Sequence, residues 1–320
     1  MERVQWAKLG VVFLAALLRA QNISSSISGT IVDQSGAVLA GAVIQVVESQ
    51  TGFQREIISN DRGFFNFPDL KPGAYAIKIQ TPGFKKYEQQ DLELVSGAQR
   101  NLGTIRLAVG ETTESVTVTA ENAPVQLGSS ERSGTLTGQE LSEMALKGRD
   151  FFDAVGLMAG IVDTNDNRDA PGADSVGGLH IAGGRSSSKN VTIDGVTNLD
   201  TGSNGSLHNT PGMDSIGEVR VLMSNYAAEF GRNSGGSITV ITRGGGKKFH
   251  GSMGYYYRHE SLSANDYFNN RNGVQRPAYR YNIGSYTFSG PIYWPGKFNR
   301  AKNKLFFFWS QEFQQQLQVN

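Results

Sequence analysis

Asp163, Asn165, Asn167, Asp169 and Asp174 fall at positions 1, 3, 5, 7 and 12 of a calcium-loop template. Carboxylates and amides at that spacing suit a hard divalent cation, which takes roughly six to eight oxygens. Position 6 of such a loop turns sharply on glycine, and here it is Arg168, so a plain solvated loop competes with the cation site. The run Gly184-Arg185-Ser186-Ser187-Ser188-Lys189 hints at a phosphate cradle, yet G-x-x-x-x-G-K-[ST] is absent and Asn190 follows the lysine. His180, His208, His250 and His259 show no metal-protease spacing, no G-x-S-x-G elbow occurs, and no serine is singled out as a nucleophile. With no cysteine, thiolate catalysis, thiolate metal sites and disulfides are excluded. These residues argue for binding without an enzyme activity, and for no cofactor.

Lys plus Arg total 30 against 29 for Asp plus Glu, a balance that offers no basic footprint for a nucleic acid. Arg3 and Lys8 precede an apolar run from Leu9 to Leu18. That run is too short to span a bilayer as a helix and suits the core of a signal peptide over 1–20, so export is expected.

The elements that follow are mainly β. Between 22 and 108, short alternating runs (SISGTIVD, AVIQVVES, FQREIIS, GFFNFPDL, AYAIKIQ, NLGTIRLA) are separated by the turn residues of DQSG, DRG and KPG. That spacing predicts an antiparallel β-sandwich. Phe64, Phe65, Phe67, Tyr75 and Phe84 are open to two readings, a sugar-stacking surface or the sandwich core that alternation alone would bury.

From 128 to 246 the pattern becomes mixed α/β. Thr137-Gly138-Gln139-Glu140 is a capping box that predicts a helix from Gln139, and Asp150 caps a second helix, FFDAVGLMAG, closed by Gly160. Asp194-Gly195 signals a hairpin beside VTIDGV, and SITVIT is dense in strand formers. Over 249–320 come three aromatic runs, FHGSMGYYYRHE, RYNIGSYTFSG and KLFFFWSQEFQQQ. In the first, Phe249, Met253, Tyr255 and Tyr257 share one parity, as Leu305, Phe307, Trp309 and Phe313 do in the third. Each is about ten residues long, which suits a tilted transmembrane strand with a lipid face and a wetter face.

Several of these stretches resemble one family. GTIVDQSGAVLAGAVIQV with NDRGFFNFPDLKPGAYAIKIQTPGF is similar to the carboxypeptidase regulatory-like domain, a transthyretin-like sandwich without catalytic residues. LKGRDFFDAVGLMAGIVD, the I-x-G-G-R element at Ile181 to Arg185, VTIDGV and IGEVRVLMSNYAAEFGRNSGGSITVITRGG resemble, in order, the plug domain of Oar-like TonB-dependent outer-membrane receptors. YTFSGPIYWP is similar to a segment early in the barrel of that subgroup. The resemblance implies a plug gating a barrel for energised uptake, with an outer-membrane location. The implied partners are membrane lipid, a TonB-type energy-transducing inner-membrane protein, and a ligand left open between carbohydrate and peptide. It also implies that Arg185, Glu218, Arg220, Glu229 and Arg232 tie plug to barrel wall, although surface salt bridges would serve as well. After Lys248 there is room for roughly three strands, against about eight for the smallest closed barrel, so the chain is expected to be the N-terminal part of a larger receptor.

One heptad falls between the self-sufficient blocks. Glu114, Ser115, Val116, Thr117, Val118, Thr119 and Ala120, within a connecting segment 111–120, stand where that family keeps its TonB box. An extra sandwich edge strand or an extended linker accounts for a Val/Thr run equally well. A secreted carbohydrate-binding or adhesion module built on the sandwich is the alternative function.

Overall fold

The computed structural model describes residues 24–111, 115–119, 129–165, 168, 172, 176–231 and 233–318. The expected signal peptide over 1–20 lies outside them.

Seven strands build the sandwich: β1 (Ser25–Val32), β2 (Val43–Glu48), β3 (Gln54–Ile58), β4 (Phe64–Leu70), β5 (Gly73–Gln80), β6 (Lys86–Leu94) and β7 (Gln99–Arg106). One sheet runs β4-β1-β7 and the other contains β3-β2-β5-β6. Alternation sends Ile27, Ile31, Ile44, Val46, Phe65, Phe67, Tyr75, Ile77 and Ile79 into one core between the sheets. The turn into β4 needs glycine: Gly63 has φ +69°, and a Cβ there would sit 2.5 Å from the Ile31 carbonyl oxygen. A further strand, β8 (Ser115–Thr119), joins the second sheet as its edge, parallel to β6.

The next block comprises β9 (Arg132–Thr137), α1 (Gly138–Glu143), α2 (Phe151–Gly156), β10 (Ile161–Asp163), β11 (Leu179–Ile181), β12 (Asn190–Ile193), β13 (Val196–Thr197), β14 (Ile216–Ser224) and β15 (Ser237–Thr242). Its main sheet has the order β13-β12-β15-β14-β9, with β12 parallel to β15 and the other pairs antiparallel. Both expected caps form: Thr137 accepts from the Glu140 N–H while Glu140 accepts from the Thr137 N–H, and Asp150 accepts from the Phe152 N–H. The second helix stops at Gly156, earlier than expected, and Gly160 closes the following turn at φ +92°. Asp194 and Gly195 make the predicted hairpin, both with positive φ, between β12 and β13. The strand β9 was not foreseen from RSGTLT, whose glycine and serine weaken the signal. It is an edge strand that gains its register only from β14, far away in sequence. Phe151, Phe152, Val155, Val191, Val219, Val221, Ile238 and Val240 fill this block's own core.

The last block is a three-stranded antiparallel sheet, β16 (His250–His259), β17 (Tyr279–Pro291) and β18 (Phe306–Gln318), with a short helix α3 (Tyr267–Arg271) in the first connection. The architecture is therefore mainly β: a sandwich, a mixed α/β block at the position expected of a plug (the plug-like domain), and a three-stranded sheet that does not close a barrel among the described residues.

Candidate functional site

The two faces of the β16-β17-β18 sheet meet different surroundings. Met253, Tyr255, Tyr257, Phe288, Trp309 and Phe313 are exposed at 90%, 69%, 49%, 49%, 56% and 62%, far beyond the scattered apolar residues of a water-facing sheet. Register aligns them in rows: Gly251 opposes Phe288, which opposes Trp309, and Met253 opposes Tyr286. On the other parity Tyr281, Ile283 and Ser285 are buried. The covering surface is the plug-like domain, reached through a polar seam.

Asp214 is the centre of that seam. Its carboxylate accepts from the Ser285 hydroxyl at 2.6 Å and lies 3.0 Å from an Arg149 guanidinium nitrogen. The Arg149 guanidinium also sits 3.6 Å from the centroid of the Tyr256 ring, a cation–π contact from the plug to β16. Arg149 holds φ +53°, a left-handed conformation that a bulky residue adopts only under constraint, and this turn aims its side chain into the seam. A second tie is Arg258 on β16, which donates to the Lys147 carbonyl at 3.2 Å. Arg149 Nε, the Tyr281 hydroxyl and one Glu312 carboxylate oxygen are buried here with no hydrogen-bond partner among the described residues. Removing the central acid leaves Arg149 and Ser285 facing each other alone. Asp214→Ala is expected to destabilise the seam by about 2 kcal/mol, read as faster amide exchange in 149–152 and 212–216 with the sandwich unchanged.

The residues expected to tie plug to barrel have these surroundings. Glu218 accepts from the Ser96 N–H of the sandwich at 3.0 Å. Burial pushes its carboxyl above the usual carboxylate range, opposed by that N–H and by Arg220. Arg220, buried, pairs with Glu131 at 2.5 Å. Arg185 is exposed at the start of a short 3-10 turn, Glu229 is exposed beside the sandwich's Gln99 in a shared cleft, and Arg232 lies outside the described residues. Glu218 also lines a cleft shared with His250, Ser252, Thr287 and Ser289 of β16 and β17. Arg149 and Asp214 make direct contacts to β16 and β17. The only sequence signal for Arg149 was its place in the K-G-R-D stretch before the Asp150 cap.

The sandwich also touches the segment leading into β16. The Gln50 carbonyl accepts from the Lys247 N–H at 3.1 Å, and the Gln50 amide donates to Gly244 at 3.3 Å. Among the five aromatics, Phe65, Phe67 and Tyr75 are core, Phe84 packs against that core, and Phe64 is 42% exposed. One exposed ring leaves little of a stacking platform.

At the calcium-loop position the pattern resolves differently. Arg168 is 4% exposed, and its guanidinium pairs with Asp153 at 3.1 Å and with Asp163 through both nitrogens. The arginine at position 6 thus brings its own cation to Asp163; Asn165 is described, whereas Asn167, Asp169 and Asp174 lie outside the described residues. Among the described residues no group of three or more His, Cys, Asp or Glu side chains is placed to hold a metal ion.

Nearby, Lys189 is 3% exposed and donates to the Ser186 carbonyl. Burial, together with Arg168, pushes its ammonium down to about 8. A depressed lysine favours the neutral form in the fold, so its contribution is full only above the unfolded value and is lost as pH falls through about 8. At pH 7 the charged form is a cost. Lys189→Met keeps the stem and removes the titration, so the variant should be more stable than the parent at pH 7 by on the order of 2–3 kcal/mol. The gap should close between pH 8 and 10.5 in paired denaturation curves.

The heptad appears as a strand. Ser115 to Thr119 pair with Lys86 to Gln90 of β6 in parallel register, while Glu114 and Ala120 lie outside the described residues. In the fold these five residues form an edge strand of the second sheet.

Comparison with known proteins bears on both ends of the chain. Residues 26–108 match the carboxypeptidase regulatory-like domain, and residues 241–320 match an outer membrane beta barrel domain. The TonB-dependent transporter Oar of Myxococcus xanthus is 28% identical over 262 residues, covering 76% of this chain and 23% of that protein. The chain thus spans about a quarter of the length of the curated relative it matches. Two solved structures are alike over 57% of this chain and 24% of theirs. They are the siderophore receptor PirA of Acinetobacter baumannii, 18% identical with TM-score 0.40, and the ferric enterobactin receptor of Pseudomonas aeruginosa, 16% identical with TM-score 0.39.

Proposed function

We propose that this chain, an outer-membrane protein with the domain make-up of an Oar-like TonB-dependent receptor, serves energised uptake, its plug gating the barrel to which β16–β18 contribute. The supporting observation is the two-faced sheet. Its aromatic face suits lipid, and its other face packs on a plug through polar contacts centred on Asp214. A seam of ion pairs and partly unpaired polar groups separates at lower cost than an apolar one, because water can replace each contact. That is the property a gate requires. Catalysis has no place in this reading, and the curated relative is a transporter.

In this reading the segments run 22–108 sandwich, 111–120 box strand, 128–246 plug and 249–320 barrel start. The heptad is the handle, bound by a TonB-type inner-membrane protein through strand addition, which reads backbone groups and asks little of side chains. The ligand class stays open between carbohydrate and peptide. The test is binding of the purified periplasmic domain of a TonB-type protein from the same organism to the purified chain. Saturable binding that a synthetic ESVTVTA peptide competes away supports the reading; binding indifferent to that peptide, or none, contradicts it.

A further inference from the structure

The connection between β17 and β18, residues 292–305, is longer than a strand-to-strand turn requires, and a long connection with its own structure tends to carry a function. One side chain closes its base. Asn299, 5% exposed with φ +49°, donates to the Ile292 and Leu305 carbonyls at 2.8 and 3.0 Å and accepts from the Asn303 and Lys304 N–H groups at 2.9 and 3.0 Å. Trp294 and Phe298 bridge inside that frame. The turn is a built platform.

It presents positive charge. Lys297, Arg300, Lys302 and Lys304 fall within the run KFNRAKNK, and no Asp or Glu occurs from Tyr267 to Gln311, in a chain whose charges otherwise nearly balance. Lys297, Arg300 and Lys304 are exposed, and none of the four has a salt-bridge partner among the described residues. Water alone would satisfy such a run; the aromatic cluster beside it narrows the ligand. Phe249, Phe288 and Phe307 gather at this end of the aromatic face with ring centroids 5.3 to 6.4 Å apart, and Tyr293 of the turn joins them 6.3 Å from Phe249. Gly290 makes the room, since a Cβ there would sit 2.2 Å from the Phe249 ring. Lys302 Nζ lies 4.7 Å from the Tyr293 centroid, so the cations begin where the rings end. Register places the turn beside the start of β16, His250 opposing Ser289, and the segment just before β16 touches the sandwich at Gln50.

We propose that the 292–305 turn binds the phosphodiester headgroups of anionic lipids in the leaflet on the sandwich's side, with acyl chains against the aromatic cluster and the headgroup among Lys297, Arg300, Lys302 and Lys304. This inference rests on the reading of β16–β18 as strands that face lipid. Rings and lysine stems cover the apolar boundary while the charged ends reach phosphate. Each cation near an anionic surface contributes roughly five-fold in affinity, within a Debye length. A zwitterionic headgroup brings its own cation and gains little.

Trp294, 66% exposed on the turn, and Trp309, 56% exposed on β18, are the probes. They are read in the complete receptor held in neutral-detergent micelles, with Trp294→Phe and Trp309→Phe supplying the background emission. Brominated phosphatidylglycerol should quench Trp294 at a mole fraction at least about ten-fold lower than brominated phosphatidylcholine requires, and raising salt from about 0.05 M to about 0.5 M should narrow that gap. Lys297→Gln, Arg300→Gln, Lys302→Gln and Lys304→Gln together should bring the two lipids within about two-fold of each other, with quenching by phosphatidylcholine unchanged as the sign of a kept fold. Equal midpoints in the parent, or a preference that survives in the quadruple variant, would overturn the proposal while leaving the strands in lipid. Trp309 should be quenched by both lipids. If neither quenches it, β16–β18 do not face lipid and the parent reading fails as well.

Discussion

Replacing Arg168 with leucine will destabilise the plug-like domain by about 2–3 kcal/mol, because the half-buried acids Asp153 and Asp163 lose the cation that both of them pair with. Burial already pushes the Asp153 carboxyl up, and the Arg168 guanidinium is what pulls it back. Once the guanidinium is gone, the two partly exposed acids face each other without a shared partner, and a leucine side chain takes its place near Phe152, whose ring lies 6.0 Å from the guanidinium carbon. The triple change Arg168→Met, Asp153→Asn and Asp163→Asn removes the guanidinium together with its two direct partners and should recover much of the loss, since the penalty comes from the unpaired charge. Amide exchange in β10 and β11 reads the effect within this domain, which matters because a chain of several domains has no single unfolding free energy. If Arg168→Leu exchanges like the parent, the pair is not holding this domain. Added calcium should leave the parent's exchange unchanged.

Proline at Val116 or Val118 will abolish energised uptake by the complete receptor while folding, export and ligand binding persist. Proline removes an N–H and fixes φ near −65°, so it damages a strand-addition site that alanine, which keeps the N–H, leaves intact. Successive residues of a strand send their N–H groups to opposite edges, so Thr117→Pro should damage the other edge from Val116→Pro and Val118→Pro. One set should therefore loosen β8 from β6 and the other should affect only partner binding, by at least about ten-fold. The sandwich survives either change, because its core is built from residues between Ile27 and Leu107. Loss of export or of sandwich melting in every proline variant would make the heptad a structural strand of the sandwich alone.

Local chemistry made much of the fold legible. Caps at Thr137 and Asp150, the Asp194-Gly195 turn and the alternation of β1, β4 and β5 depend on neighbours within a few residues, and all formed. The parity of the aromatic runs likewise put Met253, Tyr255 and Tyr257 on one face, and that face is the exposed one. What stayed hidden depends on distant residues. Strand β9 needs β14 to define it, and Arg220 meets Glu131 across 89 positions. Arg149 reaches Asp214 only because a left-handed turn aims it there, and Lys-Gly-Arg-Asp does not announce that φ. Arg168 read as the flaw in a calcium loop, although it is the group that makes the acids tolerable. The heptad shows the same limit, since a Val/Thr run pairs with any free edge and only the fold says which.

The central claim is that ESVTVTA is the handle by which a TonB-type protein moves this plug. A single cysteine at Thr117, unique in a chain that has none, can carry a short photo-cross-linker in intact cells. The predicted result is an adduct with the TonB-type inner-membrane protein that Val116→Pro or Val118→Pro suppresses. The contradicting result is no such adduct although the same cysteine still reacts with a small maleimide.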